Sequence, residues 1–158
     1  MGGQGVLAGL AAGVLTLGMG ASFADSAPLP NPFSKFSTAD AVVLAVTSEF
    51  APAGGRIRIA IYDGEATFLE TAQSKREAVI NDEGLALLTI SDLRPGDYAF
   101  VAYFDENGDG KLNRSFIGKP KEPYVFSNNV RPKLRKPTFA ETKVAVAPGE
   151  VVVLKLKN

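Results

Sequence analysis

The chain has 158 residues, 17 Lys and Arg against 17 Asp and Glu, and neither cysteine nor histidine. The length suits one domain with one hydrophobic core. Without cysteine there are no disulfides, thiolate nucleophiles or zinc–thiolate sites, and without histidine the commonest general base and transition-metal ligand are gone. The balanced charge points to no polyanionic partner such as nucleic acid.

The opening MGGQGVLAGLAAGVLTLGMGASFADSAP carries no charged side chain before Asp25. Val6 to Leu17 is an apolar run, and Ser22 and Ala24 put small residues three back and one back from a cut before Asp25. That arrangement predicts a secretory signal peptide over residues 1–24 and an extracytoplasmic mature chain, periplasmic or secreted. No Lys or Arg precedes the apolar run. A retained membrane anchor is the alternative, because the uncharged stretch is long enough to span a bilayer. Residues 25–39, including APLPNPFSKFST, form a proline-rich lead-in, and residues 40–158 form the domain.

From Asp40 onward apolar residues recur with a period of two, which predicts strands. The expected strands are Ala41 to Thr47, Arg56 to Tyr62, Arg76 to Ile80, Leu85 to Ile90, Tyr98 to Phe104, Thr142 to Ala147 and Val151 to Lys157. Turns are expected at Asn81 to Gly84 and at Pro148-Gly149, and a short helix within Phe68 to Lys75. About seven short strands separated by turns predict an all-β fold, a single antiparallel β-sandwich, immunoglobulin-like or transthyretin-like, with one long polar loop. The stretch LRPGDY reads as a type II turn, Pro95 setting φ at its second position and Gly96 supplying positive φ at its third. Its wording resembles transthyretin-like and carboxypeptidase-regulatory-like sandwich domains, which bears on fold alone.

The long loop, residues 105–138, opens with DENGDGKLN. Oxygen-bearing side chains at Asp105, Asn107 and Asp109, followed by Gly110, match the first positions of a calcium loop of the EF-hand kind. The Lys111 carbonyl would be the next ligand, and Asn113 would act directly or through water. Position 12 is Phe116 rather than a bidentate carboxylate, so an EF-hand is excluded, and Glu122 is the nearest carboxylate that could complete a calcium shell. The alternative is a hydrogen-bonded turn without metal, with Lys111 or Arg114 neutralising the aspartates. From Lys111 to Lys136 the chain is basic, with Glu122 its sole acidic residue. That stretch could contact anionic lipid head groups or cell-wall polymers, or be a solvated loop. Tyr124, Phe126 and Phe139 are either a carbohydrate platform or a hydrophobic staple for the loop.

GDYAFVAYFDENGDGKLN, then IGKPKEPYVFSNN, then KPTFAETKVAV resembles the domain of unknown function 2141 family of small exported bacterial proteins. The resemblance rests on Gly96, Tyr98 and Ala99; on Asp105, Asn107, Gly110, Lys111 and Leu112; on Gly118, Pro120 and Glu122; and on Phe126 to Asn129, Pro137 and Phe139. It implies an exported immunoglobulin-like sandwich and no particular activity. Asn113 stands where the family pattern more often has Asp, which weakens an ion site there.

The favoured reading is therefore an exported, non-enzymatic binding or structural domain of the bacterial envelope, with a weak calcium loop at residues 105–113. Its partner would be an envelope polymer, a small ligand or a protein. The alternative is a carboxylate-dependent hydrolase acting on an envelope polymer, drawing on Asp105, Asp109 and Glu122. Such chemistry needs two carboxyls with separated pKa values across a cleft.

Overall fold

The computed structural model describes residues 31–132 and 135–157. The expected signal peptide and the first part of the lead-in lie outside the described residues. Among the described residues eight strands run in chain order: β1 (Val42–Ser48), β2 (Arg56–Tyr62), β3 (Ser74–Val79), β4 (Leu85–Ile90), β5 (Gly96–Asp105), β6 (Tyr124–Phe126), β7 (Val144–Val146) and β8 (Val151–Leu156). One helical turn, α1 (Phe139–Thr142), precedes β7. The strands form two sheets, a smaller one ordered β4-β1-β8 and a larger one ordered β3-β2-β5-β6. β6 pairs with Val101 to Tyr103 of β5, and β7 with Gly96 to Tyr98. The all-β sandwich expected from the period-two pattern is present, with one parallel pair, β1 and β8, among antiparallel neighbours.

Alternation along the strands builds the core between the sheets. Val42, Leu44 and Val46 of β1 meet Ile57, Ile59 and Ile61 of β2 and Phe100 and Phe104 of β5, with Leu154 and Leu156 of β8 closing one side. Leu88 and Val144 pack against this core but are only partly buried. The partners of Ile57, Ile59 and Ile61 in sequence, namely Arg58, Ala60 and Tyr62, project from the opposite face of the larger sheet.

That outer face carries a second, smaller apolar cluster. Tyr62, Val101 and Phe126 are covered by Phe68 from the β2–β3 connection and by Phe139 from α1. The Phe68 ring lies 5.3 Å from Tyr62, 5.9 Å from Phe139 and 6.5 Å from Phe126, centroid to centroid. These are tilted or edge-on contacts of the kind aromatic rings prefer. Phe126 and Phe139, with Tyr124 at 5.6 Å from Phe126, thus staple the long loop to the sheet rather than display a flat platform.

Three local expectations are corrected. The region expected to hold a helix at Phe68 to Lys75 is turn and bend that runs into β3, because Ser74 onward pairs with Ile61 and its neighbours. Gly96 is absent from the glycines with positive φ; it opens β5 opposite Val146, so LRPGDY is not a type II turn. Thr142 ends α1 instead of starting a strand. Thr138 and Glu141 form a reciprocal capping box that fixes this turn. The turn at Pro148-Gly149 does form, with Gly149 at φ 94° and Glu150 N–H donating to the Ala147 carbonyl at 3.0 Å. Among the described residues no helix is long and apolar enough to cross a membrane.

Candidate functional site

β5 ends at Asp105, and the chain leaves the larger sheet into the polar loop. Gly108 (φ 72°) and Gly110 (φ 74°) occupy the left-handed region, where a side chain would be strained, so the tight reversal depends on them. The loop closes with successive side-chain-to-backbone bonds. Asn107 Oδ1 accepts from Asp109 N–H at 3.1 Å, and Asp109 Oδ1 accepts from Lys111 N–H at 2.8 Å. Asp109 Oδ2 accepts from the side-chain amides of Asn113 (3.0 Å) and Asn107 (3.1 Å). These donors, the Asn113 amide foremost, hold the Asp109 carboxyl below its ordinary value.

Asp105 is set apart from that array. Its side chain is inaccessible to solvent, and Oδ2 accepts from Gly110 N–H at 2.9 Å and from Arg58 Nε at 3.0 Å. Oδ1 is buried with no hydrogen-bond donor among the described residues. Arg58 also reaches Glu77 Oε2 at 2.5 Å, so one guanidinium spans β3 and the end of β5. Its pKa is held above the ordinary value, chiefly by the hydrogen bond with Asp105. The cation facing Asp105 is therefore Arg58. Lys111 and Arg114, expected from sequence to neutralise the aspartates, form no ion pair among the described residues. Register explains it: Arg58 lies opposite Tyr103, two residues before Asp105 and on the same sheet face.

Glu122 is brought to the loop, as its position in sequence suggested, but through backbone contacts. It is buried, with Oε1 accepting from Glu106 N–H at 3.2 Å and Oε2 from Asn113 N–H at 2.9 Å. One carboxylate thus joins the two ends of the loop with charge-assisted bonds. Asp105, Asn107 and Asp109 do not converge on one point here. Asn107 and Asp109 bond to each other, while Asp105 faces Arg58. Among the described residues no group of three or more His, Cys, Asp or Glu side chains is placed to hold a metal ion.

The loop also forms the wall of a groove. Tyr103 donates its hydroxyl hydrogen to the Gly110 carbonyl at 3.0 Å, holding residues 110–114 against the outer sheet face. Burial, and then the Asp105 charge, push the Tyr103 phenol up from its ordinary pKa. Beside Tyr103 opens a groove of about 450 Å³. Ala60, Val101, Leu112 and Leu69 give it an apolar lining. Lys75, Lys111 and Arg114 line it and make no ion pair among the described residues. Glu77 is its sole lining carboxylate, and it is bonded to Arg56 and Arg58. Leu69 has φ 63°, a conformation that leucine adopts only under constraint. Sequence reasoning missed this groove because its residues come from β2, β3, β5 and two connections. The outward Arg56-x-Arg58 alternation was its one visible trace.

Residues 46–153 match the family described as "Uncharacterized protein conserved in bacteria (DUF2141)". No curated protein matches the chain. The matched residues take in the larger sheet, β4, parts of β1 and β8, the 105–113 loop, Glu122 and every residue named above as lining the groove.

Proposed function

The chain belongs to the DUF2141 family, and from that premise we propose that it is an exported, non-enzymatic binding domain of the bacterial envelope whose groove takes an anionic ligand with a short apolar body. The carrying observation is the groove: about 450 Å³, with an apolar lining and with Lys75, Lys111 and Arg114 unpaired among the described residues. That volume lies within the range of small-ligand sites, which combine an apolar lining with a few orienting polar groups. The strained Leu69 in that lining supports the reading, since such backbone clusters at ligand sites. Export rests on the character of residues 1–24. The non-enzymatic reading rests on the carboxylates. Paired-carboxylate hydrolysis needs two acids facing one cleft, whereas the groove presents Glu77 alone, already held by two arginines.

Calcium is the second ligand of this reading. The observation favouring it is Asp105 Oδ1, a buried carboxylate oxygen without a donor among the described residues, at the mouth of an oxygen-rich loop. To bind calcium, Asn107 and Asp109 would release one another and turn toward Asp105, with the Lys111 carbonyl and Asn113 completing the set. Glu122 would stay on the backbone. The competing Arg58 charge makes this a weak site.

The test is thermal melting with hexanoate and glycerol 1-phosphate as anionic probes, hexanol as the neutral control, and calcium and magnesium in separate arms. Ligands that bind only the folded chain raise the melting temperature. Hexanoate should raise it more than hexanol, and Lys111→Gln with Arg114→Gln should remove the difference. Equal effects of hexanoate and hexanol would defeat the anionic-ligand reading. Calcium in the millimolar range should stabilise the native chain and not Asp105→Asn, with magnesium doing less (about the range of weak extracellular sites). Indifference to calcium would leave the loop a hydrogen-bonded turn.

A further inference from the structure

The long loop carries a second feature that the groove does not use. Phe116 and Ile117 stand at the tip of a tight reversal between Arg114 and Pro120, which form an antiparallel bridge. Their relative exposures are 107% and 75%, the highest of any large apolar side chain among the described residues. The tip is not slack. Gly118 N–H donates to the Ser115 carbonyl at 2.8 Å, Ser115 N–H to the Lys119 carbonyl at 2.6 Å, and Lys119 N–H to Ser115 Oγ at 3.1 Å. Arg114 donates to the Gly118 carbonyl at 3.2 Å across its base. Phe116 and Ile117 are the two central residues of the Ser115-to-Gly118 turn, so its backbone bonds hold both away from the sheet.

From Lys111 to Lys121 the charge flanking this tip is of one sign. Lys111, Arg114, Lys119 and Lys121 are all exposed. The nearest acid in sequence, Glu122, is buried, and both its oxygens are occupied by backbone N–H groups. An exposed aromatic and an aliphatic side chain on a stiff projection, ringed by cations, is the pattern of an interfacial membrane anchor. The apolar pair enters the head-group boundary, and the basic residues meet anionic lipid. The tip is convex, so it does not enclose a small molecule as the groove does. A binding pocket on a protein partner would account for Phe116 and Ile117 but not for the uniformly basic surround.

We propose that the Phe116-Ile117 tip docks the mature domain reversibly on a bilayer surface containing anionic lipid. Docking adds a location to the binding domain and does not depend on what the groove holds.

The chain contains no tryptophan, so Phe116→Trp places a single indole at the tip. The full chain carrying this substitution is mixed with vesicles of phosphatidylglycerol and phosphatidylcholine, or of phosphatidylcholine alone, and indole emission is recorded. On anionic vesicles the emission should shift to the blue and be quenched by lipids brominated along the acyl chain. Raising the salt should reverse both changes, and zwitterionic vesicles should give at least tenfold weaker binding. Adding Ile117→Ser, Lys119→Gln and Lys121→Gln should weaken the anionic-vesicle response at least tenfold without lowering the melting temperature, because these side chains are exposed. Because the probe reads the tip itself, association through residues 1–24 would not mimic the result. A water-exposed indole spectrum on the anionic vesicles overturns the proposal. So does a response unchanged in the multiple variant.

Discussion

The outer face of the larger sheet has two halves built on opposite principles. At one end the rings of Tyr62 and Phe126 pack against Phe68, which also meets Phe139, and the cover is aromatic packing. At the other end Arg58, Tyr103 and the 105–113 loop are joined by ion pairs and hydrogen bonds, and the face beside them is left open as a groove. Both covers arise from long connections lying on the same strands. The sealed half can be understood as stability alone. In the open half unpaired cations and a strained leucine line empty space beside the Arg58–Asp105 pair, and stability alone does not call for that combination.

Removing the seal should have the largest effect. Phe126→Ala deletes a buried ring that touches both Phe68 and Tyr124, and should destabilise by about 3–5 kcal/mol, as large-to-small aromatic changes do. Urea unfolding measures this. A loss below about 1 kcal/mol would mean that the aromatic cover is not structural.

Arg58→Ala strikes the open half. It leaves the inaccessible Asp105 carboxylate without its cation, which should lower the urea midpoint. Asp105→Asn in that background should recover part of the loss, because the uncompensated buried charge is gone. Arg58→Lys should not substitute fully, since an ammonium does not reproduce the guanidinium bridge from Glu77 to Asp105. Additive losses in the double variant would break the assigned pairing.

Acid should have the smallest effect, and it samples both halves. Glu141 in the α1 capping box is held down to about 2 by Arg135 and the Thr138 N–H, and Asp109 in the open loop is lowered by Asn113 and Lys111. Both folded values lie below the unfolded ones. Their stabilisation is therefore complete above about pH 4.5 and is lost as pH falls toward the folded values. Both groups are solvent-exposed, so the loss should be slight, and Glu141→Gln should flatten part of it. Carboxyl carbon shifts followed from pH 6 to pH 2 would show both groups titrating late. An ordinary midpoint for either would remove its assigned donors.

The two halves were unequally legible in the sequence. Strands such as RIRIAIY and YAFVAYF announce themselves by alternation, because the sandwich interior selects one face. The polar loop was visible in DENGDGKLN, and Glu122, the nearest downstream carboxylate, does reach it, through the backbone N–H groups of Glu106 and Asn113. Which atoms meet was not visible. Arg58 lies 47 residues before Asp105, and only the β2–β5 register brings them together. The Thr138-x-x-Glu141 capping box was present in the sequence, yet strand propensity in TKVAVA concealed the helical turn before it. The Pro95-Gly96 signal failed for a related reason: pairing of Gly96 with Val146 overrode the local turn preference. Long-range pairing, unlike patterning, leaves little trace in a single chain.

The central claim is that the open half binds and the sealed half does not. A titration of the isotopically labelled chain with hexanoate, followed by amide chemical shifts, tests it most directly. Shift changes should concentrate at Arg58, Lys75, Tyr103 and residues 110–114, with Phe126, Ser127 and Phe139 to Thr142 unmoved. Changes centred on the aromatic half, or spread without focus over the surface, would contradict it.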